Sequence, residues 1–203
     1  MNRTPLDSSR LKDLAPAGGG LSPLRAFAAR RILFPLADSF FTFDRALKHF
    51  LKEGRRAVEL AATLERDKLF ERVMVPPLFG LEENSRYYSA AMALEHLLIV
   101  GLSLRDRIPP LSRGEHLDRE VRIEDYKPYV EIPDEIVQIY GEFLEGFEEH
   151  LRKDLGDIHR ENRHIHPWFG ALNPKQWMVM GAIHQSVHRR QIEAIVASLP
   201  TER

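Results

Sequence analysis

The 203-residue chain contains no cysteine. This absence excludes a disulfide framework, a zinc site built on thiolates, an iron–sulfur cluster and a cysteine nucleophile. The chain also lacks an excess of either charge, since 29 lysines and arginines stand against 30 aspartates and glutamates. Because nucleic-acid-binding proteins carry a basic surface, we predict no nucleic-acid partner.

Long apolar stretches are absent as well. The longest, at residues 97–102, is far shorter than the roughly 18 residues of a membrane span. The first residues contain no apolar segment typical of a secretion signal, so we expect a cytoplasmic protein without a membrane span. Residues 1–22 are rich in proline, serine and glycine and predict a flexible tail, and residues 23–203 predict one domain.

The spacing of apolar residues predicts four long helices and an all-α fold. Gly54 lies inside the first helix, at a point where that helix breaks or kinks. Residues 108–131 form a long connection between helices two and three, and the alternation at residues 121–123 predicts a short strand there. We therefore predict an antiparallel four-helix bundle with one long crossover. The helices begin near Asp38, Asn84, Pro133 and Pro174, and the second and fourth end near Arg107 and Ser198. Either Asp38 or Thr42 can cap the first helix.

The fourth helix has the clearest predicted start. Asn173 is a favoured N-cap residue, Pro174 suits the first helical position, and Gln176 stands at the third position of a capping box. His184 and His188 follow on this helix, four residues apart, so their rings lie on one face. We predict that this face points into the core, and that Gln185 lies on the opposite side.

A third histidine stands on the apolar stripe of the second helix. His96 is flanked by leucines, which predicts a buried imidazole. A buried histidine is most often hydrogen-bonded to other core groups. This interpretation stays open for His96, for His184 and for His188 when each is taken alone. Three of them on two helices instead fit a divalent ion, because three nitrogen ligands and one open position are typical of catalytic metal sites. The ligand type allows zinc, nickel or iron.

Four sequence elements stand in a definite order along the chain: LEHLLIV at 94–100, HPWFGAL at 166–172, Trp177, and the His184-x-x-x-His188-x-x-Gln191 pattern. These elements resemble the DinB-like superfamily, four-helix-bundle metalloproteins that include bacillithiol- and mycothiol-dependent transferases. The resemblance spans roughly residues 38–198. In that family one histidine of the second helix and two of the fourth bind the metal, which implies His96, His184 and His188 as ligands here.

Four further residues are candidates for positions behind the ligands or against a substrate: His166, Gln191, Tyr140 and Ser103. The residue after His184 is a glutamine, so the HExxH signature of zinc proteases, in which glutamate is the general base, is missing.

We therefore predict a metal-dependent enzyme of thiol S-transferase or hydrolase type acting on a small molecule. Because the chain has no cysteine, a thiolate would come from a low-molecular-weight thiol cosubstrate. A homodimer is expected. The alternative is a non-enzymatic binding or structural bundle that keeps a vestigial metal or none. Metal uptake separates these two hypotheses, since a ligand that binds only the folded state also stabilises it.

Overall fold

The computed structural model of the protein describes residues 27, 29–118, 120–129 and 131–200, so the predicted tail at 1–22 lies outside the described residues. Within these ranges the chain is mostly helical, which confirms the all-α class. No helix in them is both long and apolar enough to cross a membrane. The α-helices of the described part are α1 (Phe34–Phe40), α2 (Phe43–Ala61), α3 (Arg66–Phe70), α4 (Ala90–Arg113), α5 (Ile136–Lys153) and α6 (Pro174–Ser198).

Two short antiparallel hairpins connect the helices. Strand β1 (Val73–Met74) pairs with β2 (Tyr87–Tyr88), and β3 (His164–His166) pairs with β4 (Gly170–Leu172). Strands of two or three residues are too short to show an alternating pattern, so the sequence did not predict them. The strand predicted at residues 121–123 is wrong, because the chain there enters a 3₁₀ turn at Ile123–Tyr126.

Side-chain caps determine where three of the long helices begin. The Asn173 side chain accepts the backbone N–H of Gln176, whose own side chain accepts the Asn173 N–H, as the predicted capping box requires. Thr42, one of the two predicted caps, accepts the Arg45 N–H at the start of α2. Ser89 caps α4, which begins later than predicted. Helix α5 also begins later, at Ile136, after a turn that starts at Pro133.

Helix α4 ends later than predicted. It continues past Arg107 through Pro109 and Pro110 to Arg113, where Gly114 adopts a left-handed conformation with φ of 89°. Proline removes a backbone donor and usually interrupts a helix. Here Pro109 is buried and Leu111 is almost fully buried, so tertiary packing of the last turns overrides the local preference. Helix α1 contains Pro35 in its first turn, where proline is tolerated.

Helix α6 is the centre of the packing and contacts both α2 and α4. Helix α2 is continuous through Gly54, so the predicted break is absent. A Cβ atom at Gly54 would lie 2.7 Å from Leu144 Cδ2 and 2.8 Å from Gln185 Nε2, so glycine lets α5 and α6 approach α2 closely. Gln185 lies on the side of α6 opposite the histidines, as predicted, and this side is also buried.

Candidate metal centre

Three imidazoles meet where α4 packs against α6. One ligand nitrogen from each of His96, His184 and His188 lies within 4.8 Å of the other two. His96 Nε2 and His184 Nε2 are 3.0 Å apart, and the His188 ring centroid is 4.4 Å from that of each partner. His96 and His188 are almost completely buried. The structure thus brings together the three residues that the sequence singled out as ligands.

Hydrogen bonds on the outer side of the cluster determine which nitrogen carries the proton. His96 Nδ1 lies 2.6 Å from the backbone carbonyl oxygen of Tyr126, which can only accept, so His96 Nδ1 is the donor. Its Nε2 therefore keeps a lone pair, directed at the cluster. Metal-binding histidines commonly donate their second ring N–H in this way, which orients the ring and raises its basicity.

His188 is held by a similar but longer chain of contacts. Its Nδ1 lies 2.6 Å from Gln191 Oε1, and Gln191 Nε2 donates to the Ser85 carbonyl oxygen at 2.6 Å. The Ser85 carbonyl requires the amide nitrogen on its side, so Gln191 presents its oxygen to His188. His188 Nδ1 is consequently the donor, and the remaining ring nitrogen, Nε2, keeps a lone pair. Gln191 thus supports His188 and does not line the cleft.

All three imidazoles are neutral near pH 7. Burial lowers the pKa of His96 to about 4, although the hydrogen bond to Tyr126 opposes this shift. Burial also lowers the pKa of His184 and of His188, and the proximity of the other imidazoles lowers both further. A neutral ring is the form that binds a metal, because a protonated nitrogen has no lone pair to give.

This donor set fits a divalent cation. The inner lone pairs of His96 and His188 need partners, and the only proton that the cluster itself can offer is one on His184 Nε2. One proton on His184 Nε2 can bond one of these lone pairs, so the other stays free for a further partner. A divalent ion would accept all three nitrogens at once, so the buried cluster could hold zinc, nickel or iron.

The cluster forms part of the wall of a cleft. The cleft has an accessible volume of about 80 Å³, which is room for several waters or for one end of a small molecule. Two of the remaining candidates, Ser103 and His166, line this cleft. Its other walls include Val100, Leu104, Arg107, Tyr126, Lys127, Trp168, Trp177 and Met180.

Tyr140 is the candidate that the structure places elsewhere. Its ring is fully buried, and its hydroxyl accepts a hydrogen bond from Gln185 Nε2 on the side of α6 that faces α2 and α5. The stripe of α5 that carries Tyr140 packs into the core, and Tyr140 does not line the cleft. Tyr140 therefore has a structural position and not one in the cleft.

His166 presents a neutral imidazole to the cleft from strand β3. Its Nδ1 accepts the backbone N–H of Trp168 at 3.1 Å and, at 3.4 Å, that of Phe169. Burial and the nearby charge of Arg107 lower the pKa of His166 to about 3. Because Nδ1 is an acceptor and the ring is neutral, its proton resides on Nε2, which makes His166 a hydrogen-bond donor.

Several residues of the site carried no sequence signal. Tyr126 and Ser85 act through backbone carbonyls, which any residue provides. Lys127 forms an ion pair with Glu82, and Arg107 stacks over Trp177 with its guanidinium carbon 4.5 Å from the ring centroid. Both cations come close to the cluster only through tertiary packing.

Comparisons of the chain with protein-family models, with curated proteins and with solved structures find no significant match.

Proposed function

We propose that the protein is a divalent-metal-dependent enzyme of thiol S-transferase or hydrolase type, with His96, His184 and His188 as the metal ligands. The observation that carries this proposal is the pair of outer hydrogen bonds, from His96 Nδ1 to Tyr126 and from His188 Nδ1 to Gln191. These bonds direct the Nε2 lone pairs of two buried, neutral rings at one another. A divalent ion bound there would supply Lewis acidity and lower the pKa of a coordinated water or thiol toward neutrality.

The cleft beside the cluster is the proposed substrate site. Three protein nitrogens leave a coordination position open, in contrast to closed structural sites with four protein ligands. Val100 and Leu104 provide apolar wall, and His166 provides a neutral donor beside the cluster. This mixture of apolar surface and a few polar groups is typical of sites for small molecules.

A thiol substrate would have to come from solution, because the chain contains no cysteine. We therefore propose a low-molecular-weight thiol as cosubstrate of a transferase, or water as cosubstrate of a hydrolase. The residues that surround the cluster serve either reaction: they exclude bulk water, keep the imidazoles neutral and orient the bound molecule. Zinc and nickel are the proposed metals, and the ligand set also allows iron.

We further propose that α2, α4, α5 and α6 form an antiparallel four-helix bundle of the DinB-like superfamily. Contacts of α6 with α2 and α4, and of α5 with the same two helices, support this arrangement. The order of the motifs along the chain supports the family assignment. A homodimer stays a prediction, which sedimentation equilibrium tests directly.

Metal analysis together with an activity panel tests the proposed function. Protein loaded with zinc or nickel is assayed with several bacterial thiols against 1-chloro-2,4-dinitrobenzene, where the thiolate sulfur bonds to carbon and chloride leaves. Hydrolysis of p-nitrophenyl acetate is assayed in parallel. We expect turnover that requires metal, disappears in His188→Ala and persists in His150→Ala, an exposed histidine of α5. Turnover that survives His188→Ala, or the absence of any metal uptake, would contradict the proposal.

A further inference from the structure

Arg107 lines the same cleft as the histidines. One terminal nitrogen donates to Ser103 Oγ at 2.6 Å, and the other donates to the Tyr126 hydroxyl at 3.1 Å. Its Nε is buried and has no hydrogen-bond partner. Among the described residues Arg107 forms no ion pair, so its charge meets only neutral oxygens and the face of Trp177.

Two other half-buried cations are paired. Lys127, in the same cleft, forms an ion pair with Glu82, and Arg189 on α6 contacts the carboxylates of Glu53 and Glu193. Burying part of a charge without a partner is unfavourable, and proteins usually provide an opposite charge or a ligand. The unpaired guanidinium therefore needs an anion that the described part of the protein does not supply.

We propose that Arg107 binds a carboxylate group of the substrate or cosubstrate. Two of the five guanidinium N–H groups are used by Ser103 and Tyr126, so three remain. One of the three, the Nε–H, is shielded from solvent, so the donors left for a ligand are those of the terminal nitrogens. Arginine N–H groups are strong donors to carboxylate oxygens. Stacking on Trp177 fixes the plane of the guanidinium.

The helix geometry sets the length of the ligand. Ser103, which bonds the guanidinium, follows His96 by seven residues on α4, a rise of about 10 Å. Trp177, which stacks on the same guanidinium, precedes His184 by seven residues on α6, again about 10 Å. Both helices give the same distance between the guanidinium and the histidine cluster. The carboxylate and the reacting group of the ligand are therefore separated by several bonds.

The carboxylate subsite implies that the substrate or cosubstrate of the proposed enzyme carries a carboxylate. The position of the reacting end of this ligand rests on the proposed function. The subsite itself depends on Arg107 alone, so it is testable without metal. His166 lies in the same cleft, close enough to Arg107 for the guanidinium charge to lower the pKa of the His166 ring. A carboxylate on Arg107 would therefore place the rest of the molecule beside His166 and the cluster.

Ligand-observed ¹⁹F NMR tests the subsite with a matched pair of probes, 4-(trifluoromethyl)benzoate and its neutral amide. The full chain is used after dialysis against EDTA and again after loading with zinc. We expect the metal-free protein to bind the carboxylate at least about tenfold more tightly than the amide, since hydrogen bonds to a charged group contribute this much. Inorganic phosphate, added as competitor, should displace the benzoate only weakly.

Three substitutions locate the effect. Arg107→Gln should abolish the preference for the carboxylate, whereas Arg105→Gln, whose side chain pairs with Asp106 outside the cleft, should retain it. Arg107→Lys keeps the charge but loses the planar fork, and we expect at least a roughly threefold smaller preference. This variant carries the test if Arg107→Gln fails to fold, as judged by its thermal unfolding curve.

Each contrary result has a separate meaning. Equal binding of the two probes, a preference that survives Arg107→Gln or is unchanged in Arg107→Lys, or tighter binding of phosphate would overturn the carboxylate subsite. A carboxylate preference in a protein that takes up no zinc would support the subsite and contradict the proposed enzyme. Zinc uptake without a preference for the carboxylate would support the proposed enzyme and contradict the subsite.

Discussion

Helix α6 carries buried polar side chains on two sides, and the two sides differ. Toward α2 and α5, Gln185 Nε2 donates to the hydroxyl of Tyr140 inside apolar packing, and Gln185 Oε1 has no hydrogen-bond partner among the described residues. Toward α4, His184 and His188 meet His96, and at least two of the three rings present lone pairs to the cluster. Buried polarity of the first kind holds helices together, whereas convergent acceptors beside a cleft could hold a cation.

Removal of a metal-binding histidine should show the difference between the two sides of α6 most strongly. We expect His188→Ala to weaken zinc binding by more than about a hundredfold, because loss of a ligand should exceed the effect of losing a ligand's hydrogen-bond partner. Competition with a chromophoric chelator measures this affinity, and His150→Ala is the control. Zinc affinity within tenfold of the parent protein would show that His188 is not a ligand.

Removal of the hydrogen-bond partner of a metal-binding histidine should have the second-largest effect on zinc affinity. Gln191→Leu removes the acceptor of His188 Nδ1–H, and we expect zinc affinity to fall roughly 10- to 100-fold. Gln138→Leu on the exposed face of α5 is the matched control, since Gln138 bonds only to Glu142. If both variants bind zinc equally well, the outer hydrogen bond does not orient His188.

The opposite side of α6 should respond in stability and not in metal binding. Tyr140→Phe leaves the buried Gln185 amide without its acceptor, which should lower the free energy of unfolding by about 1 to 3 kcal/mol. Urea denaturation measures this loss, with the exposed Tyr129→Phe as control. Zinc affinity should not change, so a large effect on zinc binding would contradict the separation of the two sides.

Acid should destabilise the metal-free protein through its histidines. Burial lowers the pKa of His96 to about 4 and that of His166 to about 3, while the unfolded chain titrates near 6.5. The unfolded state therefore binds more protons below pH 6.5, and the folded state loses stability as pH falls from there toward pH 4. Each such histidine contributes up to about 1.4 kcal/mol per pH unit.

Urea denaturation in EDTA at several pH values measures this slope. His96→Gln should make it shallower, and His116→Gln, an exposed histidine outside the cluster, should not. A free energy of unfolding that stays constant between pH 6.5 and 5 would mean that the buried rings are not held neutral.

Local signals in the sequence predicted much of this arrangement. The capping box at Asn173 and the spacing of His184 and His188 depend on a few neighbouring residues, and the structure agrees with both. Predictions failed where distant packing decides. Helix α4 passes through Pro109 because its last turns are buried.

The support of the cluster lies beyond sequence reasoning for a different reason. The carbonyl oxygens of Tyr126 and Ser85 belong to the backbone, so no residue type marks them. Arg107 resembled an ordinary charge at a helix end because the predicted helix stopped there. Its place over Trp177 depends on how α4 and α6 pack.

Long-range ¹H–¹⁵N correlation spectra of histidine-labelled protein test the central claim most directly. Without metal, His96 and His188 should show protonated Nδ1 and unprotonated Nε2. One equivalent of zinc should then shift the Nε2 signals of His96, His184 and His188 together and leave Nδ1 of His96 and His188 protonated. Protonated Nε2 on His96 or His188 in the metal-free protein, or zinc that shifts fewer than three Nε2 signals, would contradict the account.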